Sequence, residues 1–382
     1  MAGTGSISTR PPVKGGPVKH KKTGGDQNPN GRDTTMALDE SSRVRRILTD
    51  IAAQGRVATA PLMGFPGVKL VGSTVKIAQQ NCREHFKAIR FLYGAFEPDV
   101  IFPLMDLSVE ANALGFYTLF PVDETPTVVA SNFAIEQLNR LRDIDISFDA
   151  RIAGYVETVR LMARQLPERV VKGAYVIGPF TLAGLMMGAS NAAMALLMDP
   201  AGMHRLCDFT FGVVEKYSRL LMDAGADLIC FLEPSAVFLG PEQFREFSAA
   251  HLVPLVAECT DRNVATLYHI CGNSTHLVEQ MVASGVTGLS LDSPETGIDI
   301  VKVLESVPSS VAVVGNTNPT SVMLYGSSEQ VELDVAGLLE AAGRYPNFIL
   351  GSGCDLPLET PRENIAAFMR AAAKYRREGA AD

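Results

Sequence analysis

Eight short β-branched or apolar runs recur along the chain, at 57–62, 100–105, 174–178, 228–233, 264–270, 288–292, 311–315 and 348–351, with amphipathic stretches between them. Helical periodicity marks 43–53, 133–142, 154–165, 203–224, 241–258, 274–284, 298–306 and 331–342, and a last stretch at 361–375 follows the final run. Strands alternating with helices are the sequence form of a parallel sheet built from βαβ units. Eight repeats match a closed (β/α)8 TIM barrel, an α/β fold, better than an open sheet, which rarely reaches that count so regularly. An open doubly wound sheet is the alternative, but no G-x-G-x-x-G opens a helix after the first run, so the usual dinucleotide fingerprint is missing.

Residues 1–40 are rich in Gly, Pro, Thr, Asn and Lys and nearly devoid of large apolar side chains. They read as a disordered tail, and 41–382 as a single barrel catalytic domain. Lys19, Lys21 and Lys22 read as part of that solvated tail. With 47% hydrophobic and 20% charged residues the rest is ordinary globular sequence. A net charge of −8 argues against a general nucleic-acid binder, which gains affinity from clustered cations. No apolar run approaches the length of a bilayer, and the first residues lack the apolar core of a secretory signal, so a cytoplasmic protein without a membrane or nucleic-acid partner is expected. A mitochondrial address stays open.

In a barrel the chemistry collects at the C-terminal ends of the strands. The fifth run ends in Tyr268-His269-Ile270-Cys271-Gly272, the sixth in Asp292, and the eighth leads into Gly351-Ser352-Gly353-Cys354-Asp355. His269 and Cys271 stand two apart, so they share a face. With Cys354 they offer an imidazole and two thiols, a soft set suited to zinc with three protein ligands and a fourth position to spare. Asp292 is a candidate for that position. The plain alternative is packing, since a free Cys is usually a small hydrophobe. That reading suits Cys82, Cys207, Cys230 and Cys259, which fall in helical or strand patterns; it suits the Gly-flanked Cys354 poorly. His85, His204, His251 and His276 fall on helical segments and read as solvated or partly packed, and Tyr268 as core.

His-x-Cys, the strand end in Asp292, Gly-x-Gly-Cys-Asp-x-Pro and Thr360-Pro361-Arg362-Glu363-Asn364-Ile365, together with MDLSVEANALG at 105–115 and GNTNPT at 315–320, resemble the uroporphyrinogen decarboxylase superfamily. Within it they are most similar to the zinc-dependent corrinoid methyltransferases, over about residues 42–378. The resemblance implies Zn²⁺ on His269, Cys271 and Cys354, and methylcobamide as co-substrate. It also implies methyl transfer between that corrinoid and a zinc-activated thiol. The chain holds no Asp-x-His-x-x-Gly segment for a corrinoid of its own, so a separate corrinoid protein is the implied partner, with a small thiol or methyl donor as the other.

True decarboxylases of the superfamily carry an Arg-rich motif after the first strand; MGFPGVK stands here at 63–69. One Lys cannot grip a bundle of carboxylates that calls for several bidentate guanidiniums. Asp106 aligns with the decarboxylase acid, and a structural carboxylate is its equal alternative. Glu233, ending the fourth run, is a candidate ligand or proton acceptor, or else a helix cap. Three further functions stay open: a methyl-donor:corrinoid transferase running the first half-reaction, a tetrapyrrole decarboxylase, and a catalytically silent barrel that binds a corrinoid or tetrapyrrole.

Overall fold

The computed structural model describes residues 38, 42–129 and 133–377. Apart from Leu38, the proposed tail lies outside them. Among the described residues nine strands are present: β1 (Val100–Ile101), β2 (Thr118–Leu119), β3 (Thr127–Val128), β4 (Val171–Ile177), β5 (Leu228–Leu232), β6 (Ala265–Ile270), β7 (Gly288–Leu291), β8 (Ala312–Thr317) and β9 (Phe348–Ser352). Seven pair in parallel in the order β1-β4-β5-β6-β7-β8-β9, and β2 and β3 form a small antiparallel pair. The 57–62 run supplies the eighth part. Ala60 N donates to Leu350 O at 2.7 Å, Leu350 N to Ala58 O at 2.9 Å, and Val100 N to Thr59 O at 2.9 Å. The run therefore lies between β9 and β1 and closes the sheet, giving the TIM-barrel fold expected from the repeats.

Side-chain alternation divides the core into two layers. Leu228, Cys230 and Leu232 of β5, Ala265 and Leu267 of β6, and Ala312 and Val314 of β8 join Ala58, Ala60, Phe102 and Tyr175 in an inner cluster. The residues between them, such as Ile229, Phe231, Tyr268, Leu289 and Val313, pack in the larger cluster with the helices. Each buried Leu, Ile or Phe contributes roughly 1.5–3 kcal/mol by leaving water. Phe102 stacks on Tyr175 with centroids 4.7 Å apart. Gly173 makes room for that ring, since a Cβ there would lie 2.2 Å from it.

Leu38, assigned to the tail from composition, is buried at 1% and joins the inner cluster with Val44 and Ile51. Several helices went unread, among them Gly64–Leu70, Pro179–Met187 and Ala189–Met198, and Cys82–Phe96 was met only through the helical reading of His85. Gly64, Pro66 and Gly67 disguise the first as a turn. Cys82–Phe96 carries a legible start: Asn81 Oδ1 accepts from Arg83 N at 3.0 Å and from Glu84 N at 3.3 Å. The 133–142 pattern is a 3-10 turn at Ile135–Arg140 rather than an α-helix. No single described helix is long and apolar enough to cross a membrane.

Candidate metal centre

The β6–β7 pairing sets His269 opposite Ser290, and the imidazole Nδ1 shares a hydrogen bond with Ser290 Oγ at 3.0 Å. That contact leaves Nε2 for the mouth of the barrel. Cys271 Sγ lies 3.3 Å from Nε2, Cys354 Sγ 3.7 Å from it, and the two sulfurs 3.5 Å from each other. Gly353 lets the β9 loop press in, because a Cβ there would stand 2.4 Å from Ser293 N. Four-coordinate zinc with bonds of about 2.0–2.3 Å sets its ligands about 3.3–3.8 Å apart, so this trio fits the ion in both spacing and softness. Among the described residues it is the one group of three or more His, Cys, Asp or Glu brought together in this way.

Burial would push the His269 imidazole down, but the hydrogen bond and charge of Cys354, and then Asp292, outweigh it and leave it raised. The Cys354 thiol is pushed well up, by its contact with Cys271 first and burial second. A bound cation reverses this for the thiols, which ligate as thiolates. Cys207, Cys230 and Cys259 are buried hydrophobes whose thiols burial pushes up, Cys259 to about 12.

Asp292 stands beside the trio with both oxygens engaged. Oδ2 accepts from Gly272 N at 2.7 Å and Oδ1 from Ser293 N at 2.6 Å. Glu233 is on the other face of the sheet, which corrects its assignment as a ligand or proton acceptor beside the metal. Leu228, Cys230 and Leu232 point inward, so residue 233 points toward the helices. There its carboxylate accepts from Phe180 N at 3.4 Å, from Thr181 N, and from Ser248 Oγ at 2.6 Å. It caps the start of Pro179–Met187, and burial pushes it up to about 7.

Asp106 is likewise apart from the trio. Its side chain is fully buried, bonded to Arg151 Nη2, to Tyr155 Oη at 3.0 Å, and to Ser108 N and Oγ at 2.9 and 2.6 Å. Arg151 also reaches Asn112 Oδ1 at 3.1 Å and stacks over Phe120. His85, expected to be solvated or partly packed, is buried and accepts from Leu104 N at 2.8 Å, two residues before Asp106. Burial lowers its pKa to about 3, so it is neutral.

Two groups at the mouth were not singled out from sequence. Asp355, which follows Cys354, has a buried carboxylate beside the backbone amides of Gly64 and Leu356. Burial pushes it well above the usual carboxylate range. Asn316 of β8 is fully buried; Nδ2 donates to Asp292 O at 3.0 Å while Oδ1 has no partner. Each stood inside a quoted motif, and only three-dimensional neighbours reveal its burial and partners.

A TIM barrel with an imidazole and two thiols at its mouth narrows the comparison with known proteins, and the profile described as uroporphyrinogen decarboxylase (URO-D) matches residues 71–375. The chain belongs to the uroporphyrinogen decarboxylase family. The matched relatives carry two activities, and the methylcobamide:CoM methyltransferases among them support a corrinoid-dependent methyltransferase. A methylcobamide:CoM methyltransferase of Methanosarcina mazei is 26% identical over 278 residues, covering 71% of this chain and 78% of the relative. A uroporphyrinogen decarboxylase of Pseudoalteromonas atlantica is 26% identical over 314 residues, covering 79% and 85%. A solved methyltransferase from Methanosarcina mazei superimposes with a TM-score of 0.76 at 21% identity, over 87% of this chain and 99% of that one, which establishes the shared fold.

Proposed function

We propose that this member of the uroporphyrinogen decarboxylase family is a zinc-dependent methyltransferase that moves a methyl group between a corrinoid carried on a separate protein and a small thiol. The observation that carries the reading is the convergence of His269 Nε2 with the sulfurs of Cys271 and Cys354. These three would hold the ion. When bound, zinc lowers the pKa of a coordinated thiol, so that sulfur is available as thiolate at neutral pH.

The chain's own residues do the rest. Ser290 fixes the His269 ring so that Nε2 faces the sulfurs. Asp292, tethered by the Gly272 and Ser293 amides, is the proposed fourth ligand at rest, exchangeable because its amide bonds offer it an alternative home. The barrel mouth would hold the sulfur close to the methyl carbon of an arriving corrinoid. In the overall transfer the C–Co bond breaks with its electron pair left on cobalt and the S–C bond forms. The thiol proton is released, and methyl-Co(III) becomes Co(I).

The chemistry of tetrapyrrole decarboxylation calls for several free guanidiniums, and the strand ends offer nothing of the kind among the described residues. Arg151 is buried and committed to Asp106, Ser108 and Asn112. The test is to supply zinc-loaded protein with free methylcobalamin and a small thiol, following thioether formation and the cobalt spectrum. Zinc-dependent thioether is expected. Transfer unaffected by stripping the metal, or decarboxylation of uroporphyrinogen at a comparable rate, sinks the reading.

A further inference from the structure

The two sulfurs of the trio face each other as well as the metal position. Cys271 Sγ and Cys354 Sγ stand 3.5 Å apart. A disulfide sets its sulfurs about 2.05 Å apart, so closing the gap asks less than about 1 Å of each side chain. The chain beside the pair is glycine on both strands: Gly272 follows Cys271 with φ at +83°, and Gly353 precedes Cys354. Both thiols are half-buried at the barrel mouth, where a small solute can meet them.

The other cysteines are placed differently. Cys207, Cys230 and Cys259 are at most 1% exposed, which keeps a dissolved oxidant from them, and Cys82 starts the Cys82–Phe96 helix. Cys230, on the inner wall, is the rival partner inside the barrel. The pair at the mouth therefore has two exclusive fates. With zinc bound, both sulfurs are ligands and the lone pairs that would attack are engaged. Without it they are neighbouring thiols with the His269 imidazole 3.3 Å from Cys271 Sγ, within reach to take a proton.

We propose that Cys271 and Cys354 form a reversible disulfide when the centre lacks zinc and meets a hydroperoxide, and that this pairing switches the centre off by removing two of its three ligands. One thiolate attacks a peroxide oxygen, the O–O bond breaks, and a sulfenic acid and hydroxide result; the hydroxide leaves as water with the proton that the thiol gave up. The second sulfur then displaces hydroxide from the sulfenic acid, the S–S bond forms, and a second water leaves with the second thiol proton. Each sulfur gives up one electron and each peroxide oxygen gains one. The inference rests on the zinc and thiol reading and adds the regulation of that same centre. The proposed transfer releases Co(I), which peroxide also oxidises, so a centre that closes under the same oxidant halts a reaction whose product would be lost.

Zinc-free and zinc-loaded full-length protein, each treated with hydrogen peroxide, alkylated and mapped by mass spectrometry without reduction, decide the matter. Zinc uptake is measured by elemental analysis before and after dithiothreitol. In zinc-free protein a Cys271–Cys354 cross-linked peptide is expected, with zinc uptake abolished and then restored by dithiothreitol. Zinc-loaded protein should oxidise about tenfold or more slowly, because coordinated sulfur has lost its attacking lone pair. Sulfinic acid on either thiol in place of the cross-link, a cross-link through Cys230, full zinc uptake by the oxidised protein, or equal oxidation rates with and without zinc overturns the inference. If the reduced protein takes up no zinc, the ligand set fails and the switch with it. A reversible cross-link in a protein whose zinc form moves no methyl from methylcobalamin to a thiol supports the switch and sinks the methyltransferase reading alone.

Discussion

His269 and Tyr268 are neighbours on β6, yet they live in opposite worlds. Tyr268 faces the helices, where its hydroxyl meets Ser248 Oγ at 2.6 Å and Ser248 in turn bonds Glu233. Every polar group named in that outer network has a partner. On the inner face, His269, Cys271 and Cys354 crowd one another while Asn316 Oδ1 is left without a partner. A saturated buried network specifies packing, and an unsaturated one waits for a ligand.

Removing Cys354 is the hardest blow to the inner face. Cys354→Ala should lose most of its zinc and lower methyl transfer by orders of magnitude, because one missing ligand alters both metal affinity and thiolate character. The melting temperature should stay close to that of the parent, since the trio contributes no core. Full zinc retained in Cys354→Ala, measured by elemental analysis, would show the ligand set to be wrong.

Asp106 tests whether saturation means structure. Truncating it strands the buried Arg151, so Asp106→Ala should lose about 3–5 kcal/mol in denaturant unfolding. Replacing the pair together, as Asp106→Leu with Arg151→Met, should recover most of that loss. If the double variant is stable but has lost methyl transfer with zinc intact, Asp106 has a chemical role that its hydrogen bonds conceal.

Glu233 offers a pH signature of the outer face. The folded protein keeps a proton there up to about 7, against the ordinary value of 4.5 in an unfolded chain. Its contribution to stability is therefore complete below the lower value and is lost as pH rises through the upper one. Relative to Glu233→Gln, the parent should lose on the order of 1–3 kcal/mol between those two values. A parallel pH dependence in the two proteins would mean that Glu233 titrates normally.

The smallest effect belongs to the exposed Lys69–Glu359 pair, whose side chains are 54% and 63% exposed. Glu359→Ala should change stability by less than about 0.5 kcal/mol, because water screens such a pair. A larger change would mean that the loop after Cys354 depends on it.

How much could be read in advance follows these two faces. Eight runs predict the barrel because burial on both sides leaves a period and a length that composition cannot hide. That His269 and Cys271 share one face of a strand was legible from spacing alone. Glu233 was open to the same argument, since it follows three residues that alternate in the wrong phase for the mouth. Arg151, Ser290 and Asn316 were not legible: each matters through a partner at least 20 residues away, Asp106, His269 and Asp292 respectively.

By itself the amino-acid order determined the repeat, the strand ends and the kinds of ligand available, because propensity, periodicity and side-chain chemistry are local properties. Tertiary structure decided which of those ends meet. Closure of the barrel through 57–62 and the close approach allowed at Gly353 bring Cys354 to within 3.5 Å of Cys271 across 83 residues of chain. The same closure decides which polar side chains meet backbone amides, because hydrogen-bond satisfaction depends on three-dimensional neighbours.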